Sequence, residues 1–242
     1  MGFLKDQVAV VTGASSGIGR AIALALAGQR AGLCLVGRSR GALEMVADCV
    51  RATVPHLMIA PIDLTLDQNI DRLKTDLQRE FGRVDVLVHC AGVIAQGKLQ
   101  NAPVQDFDLQ YRANVRAPYL LTQTLLPMLK VGPGQIVFIN SSVGLKARAG
   151  VSQFAATQHA LKAITDSLRE EVNPDGIRVL SVFPGRTATP RQANIFQIEG
   201  REYRPELLLQ PEDIATVVIN ALNLPRTAEV TDIHLRPLLK SY

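Results

Sequence analysis

A doubly wound α/β fold, with a parallel sheet covered by helices on both faces, is what this sequence predicts. Three observations point to it. Apolar strand-like runs alternate with helical stretches from one end of the chain to the other, the pattern of strand–helix–strand units. The first run opens through the glycine-rich turn TGASSGIG directly into a helix. Aromatic residues make up only 5% and tryptophan is absent, so Val, Ile, Leu and Ala must build the core, as buried parallel strands prefer.

The elements follow in order. Val8–Val11 is a β-branched run stopped by Thr12-Gly13, and Ile18 to Leu26 is a helix with small apolar residues on both sides. Leu33–Val36 is the next strand, followed by a helix around Ala42–Ala52. Leu57–Ile62 is a third strand, and Asp67–Phe81 is an amphipathic helix ending at Gly82. Val84–His89 is the fourth strand. A longer helix covers Val104–Lys130, bent at Pro118 and ended by Gly132-Pro133-Gly134.

Ile136–Asn140 is a fifth strand, and Ser152–Val172 is a long helix closed by Asn173-Pro174-Asp175-Gly176. Ile177–Phe183 is a sixth strand. The stretch Thr187 to Leu209 has weak periodicity and is expected to be a mobile, partly helical excursion. Pro211 opens a helix with Glu212 and Asp213 in its first turn, where the helix dipole favours negative charge. Val230–Leu235 is a short last strand. With no linker, repeat or low-complexity run, one domain over 1–242 and a mainly parallel, seven-stranded sheet are expected, with 187–209 an excursion within it.

Composition narrows the function. A net charge of +4 is mildly basic, but Lys and Arg are scattered rather than clustered, which argues against a nucleic-acid binder. A local basic patch for an anionic cofactor remains compatible with it. Cys34, Cys49 and Cys90 are too few and too irregular for a disulfide framework or a zinc site. MGFLKDQ reaches an acidic residue before any signal-like stretch, and no segment approaches transmembrane length. A cytoplasmic protein without membrane, metal or nucleic-acid partners is expected.

The chemistry starts at the first turn. Gly13, Gly17 and Gly19 suit a tight turn, close approach of backbone to a pyrophosphate, and close packing of helix on strand. Ser15, Ser16 and Ile18 belong to the same cradle, and the helix beyond offers free N–H groups to phosphate. In such Rossmann units, a carboxylate ending the second strand holds the ribose 2′-hydroxyl. Here the strand ends Leu35-Val36-Gly37-Arg38-Ser39-Arg40, without one. Arg38 can pair with a 2′-phosphate instead, so NADP(H) is expected over NAD(H). Asp63, after the third strand, is placed to meet the adenine edge.

The spacing TGxxxGxG resembles the short-chain dehydrogenase/reductase family, and the likeness runs the length of the chain. His89-Cys90-Ala91-Gly92 is similar to the family's Asn-Asn-Ala-Gly segment, with Ala91 and Gly92 kept and the first two residues changed. Asn114-Val115 looks like the helix asparagine whose neighbouring backbone holds a proton-relay water. Asn140-Ser141-Ser142 resembles the segment whose serine orients the substrate carbonyl. Ser141 is the first candidate and Ser142 the second; a serine that merely caps a turn is the plain alternative. Pro184-Gly185, with Thr187 and Thr189, is similar to the loop over the nicotinamide. The resemblance implies a small carbonyl or alcohol substrate and a homodimer or homotetramer formed through the helices near 104–130 and 152–172.

The departure lies at the centre. The family's tyrosine and lysine, in Y-x-x-x-K, follow the serine by 13 residues; counting from Ser141 lands on Phe154, with Gln158 in the lysine's place. Phe154 keeps a ring but has no proton to exchange, and Gln158 can hydrogen-bond a ribose but carries no charge. Neither His159 nor Lys162 is placed to substitute, and no tyrosine (Tyr111, Tyr119, Tyr203, Tyr242) has a lysine four residues later. Catalytic roles are thus expected at Ser141 and Asn114, while Phe154 and Gln158 occupy catalytic positions of the family without its chemistry. The expectation is an NADP(H)-dependent oxidoreductase with strongly impaired carbonyl turnover. The alternatives are an inactive NADP(H)-binding pseudoenzyme and an altered reductase, for example of imines, that needs no phenol. His89 is expected to be structural.

Overall fold

A computed structural model describes residues 4–239; residues 1–3, where MGFLKDQ begins, and 240–242, which include Tyr242, lie outside the described residues. The first half alternates β1 (Val8–Thr12), α1 (Gly17–Gly28), β2 (Gly32–Gly37), α2 (Arg40–Val50), β3 (Leu57–Pro61), α3 (Asp67–Glu80) and β4 (Val86–His89). The second half carries α4 (Val104–Tyr111), α5 (Ala117–Leu129), β5 (Gln135–Ile139), α6 (Ser152–Val172) and β6 (Arg178–Pro184). It closes with α7 (Pro190–Ile198), α8 (Pro211–Leu222) and β7 (Asp232–Leu235). The strands form one parallel sheet in the order β3-β2-β1-β4-β5-β6-β7.

The two-residue period of a strand divides the core in two. Ala9, Val11, Leu33, Leu35, Val86 and Val88 pack on one face against α1, α2 and α8. Their neighbours Val10, Cys34, Val36 and Leu87 pack on the other against α3, α5 and α6. On α3, Ile70, Leu73 and Leu77 fall on one stripe and are all buried, each burial contributing about 2 kcal/mol. This is why the central strands read as unbroken apolar runs.

The long helix expected over 104–130 is interrupted. Between α4 and α5 the residues Arg112–Arg116 form a π-turn that ends two residues before Pro118. Pro118 has no N–H, so the Asn114 carbonyl lacks the donor that an α-helix would supply four residues on. A second proline, Pro127, lies inside α5. The excursion at 187–209 contains α7 and a short 3₁₀ turn at Pro205–Leu207, and its two ends meet where Ala188 N donates to Leu209 O at 2.7 Å.

Strand order reverses at β1, which has β2 on one side and β4 on the other. Connections leave the carboxyl ends of these two strands in opposite directions and open a crevice there. Asp85, only 2% exposed, pins the other end of this strand pair. It accepts Val8 N at 2.8 Å and the forked Arg83 guanidinium.

Candidate functional site

A cleft of about 320 Å³ runs along this crevice. Ser15, Ser16, Gly17 and Ile18 line its wall at the β1–α1 turn, together with Gly13. Gly13 has φ +66°, and a Cβ there would sit 2.8 Å from Ala91 N. A Cβ on Gly19 would lie 2.3 Å from Gly13 O, so α1 can approach its own turn only without a side chain at 19. Thr12 ties the two switch-point strands together. Its hydroxyl donates to Val88 O at 3.2 Å and accepts Cys90 N and Ala91 N at 3.0 and 3.1 Å.

The start of α1 has the character of an anion site. Its N-cap Ser16 makes no side-chain cap bond, and its first turn holds no acidic residue. At α8, by contrast, Asp213 accepts Gln210 N at 2.8 Å and Glu212 shares the first turn. The start of α1 thus carries no capping or acidic side chain to compete for an anion. Beyond the turn the cleft reaches Arg38 and Asp63. Arg38 is exposed and has no carboxylate partner among the described residues. Asp63 is held by Thr65, whose N–H and hydroxyl donate to its Oδ1 at 2.9 and 2.7 Å.

The other end of the cleft is built from β4, the π-turn and α6. Ala91, Gly92, Asn114, Asn140, Phe154 and Gln158 all line it. Asn114 is fully engaged: Oδ1 accepts Val93 N at 2.8 Å, while Nδ2 donates to Val93 O at 2.8 Å and to Thr157 Oγ1 at 3.2 Å. A Cβ on Gly92 would lie 2.9 Å from that Oδ1, so Gly92 makes room for the asparagine. Asn140 Nδ2 donates to Gln158 O at 3.0 Å, fixing α6 to the end of β5. Gln158, 4% exposed, reaches Thr157 Oγ1 at 3.5 Å.

A second cavity of about 150 Å³ adjoins the first, and Ile18, Asn140, Phe154, Thr189 and Arg191 line both. Ser141, Ser142, Pro184, Gly185 and Thr187 face this second cavity rather than the long cleft. Ser141 caps the turn Ser142–Gly144, its Oγ accepting Val143 N at a long 3.4 Å. Thr187 donates its hydroxyl to Gly185 O at 3.1 Å, and Thr189 caps α7 by accepting Gln192 N at 3.2 Å. Every described candidate from the sequence thus falls on one of two connected cavities except Gly19, whose packing shapes the turn.

The match of known families to this chain is decisive at this point. The family model described as short chain dehydrogenase covers residues 7–200. The chain belongs to the short-chain dehydrogenase/reductase family. An uncharacterized oxidoreductase of Staphylococcus epidermidis is 33% identical over 239 residues, 98% of this chain and all of that protein. An alcohol dehydrogenase from the archaeon Thermococcus sibiricus, solved with 5-hydroxy-NADP, superposes with TM-score 0.89 at 26% identity. It spans 98% of this chain and 99% of its own. A Shigella flexneri short chain dehydrogenase complexed with NADP gives TM-score 0.86 at 29% identity, over 96% and 97% of the two chains.

In this short-chain dehydrogenase two buried groups beside the cleft, His89 and Cys90, are held in their neutral forms. Burial pulls the His89 imidazole down to about 3, so it stays neutral; its Nε2 is 2.8 Å from Thr122 Oγ1 and the ring stacks on Phe138. Burial pushes the Cys90 thiol up to about 12, only partly offset by Arg191 and the Gly19 backbone, so no thiolate is available. Lys162 is committed to Asp166 at 2.6 Å, and His159 Nδ1 lies 2.9 Å from Ala155 O on an exposed face. Neither a tyrosine nor a lysine lines either cavity among the described residues.

Three contributors escaped the sequence reading. Thr12 appeared there only as the end of a strand, and Asn140 only as the neighbour of a serine. Arg191, whose Nη2 donates to Gly92 O at 2.6 Å across the junction, carried no motif at all. The one available signal was Thr12 itself, a hydroxyl ending an otherwise apolar run.

Proposed function

We propose that this protein holds NADP(H) along the long cleft and belongs to a carbonyl/alcohol oxidoreductase lineage in which this chain's own turnover is strongly impaired. The observation that carries the reading is the combination of an intact cradle with Phe154 and Gln158 at its reactive end. The glycine turn and α1 N-terminus fit a pyrophosphate, Arg38 fits a 2′-phosphate, and Asp63 fits the adenine edge. Gly92, Asn114, Gln158 and Thr189 lie where the nicotinamide riboside would rest, with Pro184, Gly185 and Thr187 beyond. When bound, the nicotinamide supplies or accepts the hydride.

The protein's share of such a reaction is orientation and the proton. Ser141 or Ser142, on the second cavity, can donate a hydrogen bond to a substrate oxygen. Asn114 holds the 93 segment and, through Pro118, leaves a backbone carbonyl without its α-helical donor. By its spacing from Ser141, Phe154 stands in for the family's tyrosine but has no hydroxyl, and Gln158 for its lysine but has no charge. Transfer of a proton to an alkoxide then has no side-chain donor, a loss worth about 10²–10⁴ in rate. Binding survives this loss, because the phosphate and 2′-phosphate contacts lie at the other end. The competing reading is a pure NADP(H)-binding protein, favoured by the burial of Gln158 and of the Asn114–Thr157 network.

Titration calorimetry tests the cofactor reading. NADPH is expected to bind, with NADH weaker; no NADPH binding at millimolar concentration overturns it. The exposed apolar residues Val104, Phe107, Leu109, Tyr111 and Tyr119 along α4 to α5 support self-association of this face into a homodimer or homotetramer. A cytoplasmic setting belongs to the same proposal; no described helix is long and apolar enough to cross a membrane.

A further inference from the structure

We infer that the second cavity selects a small substrate or ligand that pairs a ring-sized apolar body with a carboxylate or similar anionic group, with Arg148 and Arg191 holding the charge. This rests on the proposed reading that the long cleft holds the cofactor, and it names the class of molecule that would sit beside it.

Three arginines line the cavity, Arg148, Arg186 and Arg191, and no Asp or Glu does. Arg186 has its compensation within the protein: Nη2 donates to both oxygens of Glu199 at 2.8 Å, and the group lies 4.7 Å from the centre of the Phe196 ring. Arg148 and Arg191 have no carboxylate partner among the described residues, and Arg191 gives one donor to the Gly92 carbonyl. Two exposed arginines without a carboxylate partner therefore border a shared space whose acceptors are neutral. Such an arrangement attracts an anion, and the fork geometry of arginine suits a carboxylate.

The rest of the wall describes the body of the ligand. Ile94, Val143, Val151 and Ile195 are apolar, and Phe154 closes the side toward the cleft. With these apolar residues among its polar ones, a cavity of about 150 Å³ has room for a single benzene-sized ring. Arg191 and Phe154 line both cavities, so the anionic group and the ring would meet the cofactor end together. A fully neutral ligand would leave both guanidinium groups to water or weak acceptors.

The test is a binding measurement that does not require turnover. Benzoylformate and its methyl ester, matched in ring and ketone, are titrated calorimetrically into the protein with and without NADPH. NADPH is titrated separately, so that failure of the cofactor reading is seen by itself. The carboxylate is expected to bind at least about tenfold tighter than the ester, the low end for a hydrogen bond to a charged partner. Arg148→Gln and Arg191→Gln should each reduce that preference. Arg148→Gln, at a residue outside the long cleft, should leave the NADPH affinity unchanged. Arg72→Gln on α3 removes the same charge from a remote surface and should change nothing. Equal binding of acid and ester overturns the inference, as does no binding of either. A preference that survives in Arg148→Gln/Arg191→Gln, or one lost equally in Arg72→Gln, also overturns it.

Discussion

Restoring a phenol and an ammonium to α6 is the perturbation that discriminates most sharply between the readings. Positions 154 and 158 are four residues apart, about 6 Å along the helix and on one face, and both line the long cleft. Phe154→Tyr adds only a hydroxyl to a ring already packed against Val143, Val151 and Ala155. Gln158→Lys is costlier, because the site is 4% exposed and its new ammonium would leave water. The cleft can take the end of the lysine stem, so a cost of about 2 kcal/mol is expected for Gln158→Lys alone. That corresponds to a fall of roughly 4–8 °C in thermal midpoint for a chain of this size. In Phe154→Tyr/Gln158→Lys, ketone reduction with NADPH should rise at least about 100-fold over the parent, the lower bound for a positioned acid. Each single variant should gain far less, since the pair acts as a unit. Stopped-flow loss of NADPH absorbance reads the rate, and calorimetry confirms that cofactor still binds. A double variant that binds NADPH yet gains nothing would refute the argument. A parent chain that already matches it would do the same.

Three further outcomes follow from particular contacts. Arg38→Ala should weaken NADPH by at least about tenfold while leaving NADH nearly unchanged, measured by titration at fixed ionic strength. Equal losses for both cofactors would remove Arg38 from the 2′-phosphate. Gly13→Ala forces a Cβ to 2.8 Å from Ala91 N at φ +66°, and should lower stability by about 1–3 kcal/mol in urea unfolding. An unchanged midpoint would mean the turn rearranges freely. The buried His89, lowered to about 3 against about 6.5 in the unfolded chain, takes up its proton more readily when unfolded. Its neutral burial therefore costs nothing above pH 6.5, and stability is lost as pH falls from there toward 3. The urea midpoint should drop between pH 7 and pH 5, and less so in His89→Asn; the same drop in both would assign the acid sensitivity elsewhere.

Much of the architecture was legible in the order of residues, because burial on both sheet faces writes long apolar runs and helix ends carry their own chemistry. Ser152–Val172 matched its helix end to end, closed by Gly176 at φ +69°. The TGASSGIG turn announced close backbone approaches, because glycine is needed where backbone meets backbone. That Phe154 and Gln158 stand 13 and 17 residues beyond Ser141 was also a matter of counting. These features are local, and local chemistry survives in one dimension.

What only the folded chain decided was adjacency between segments far apart in sequence. The helix over 104–130 broke into a π-turn because Pro118 withholds a donor just where Asn114 must reach Val93 and Thr157. Ser141, Pro184 and Thr187 came to line a cavity separate from the long cleft. Arg191, without any motif, was carried by α7 across the junction to Gly92, 99 positions away. A contact of that separation is set by the packing of whole elements, and no spacing along the chain encodes it.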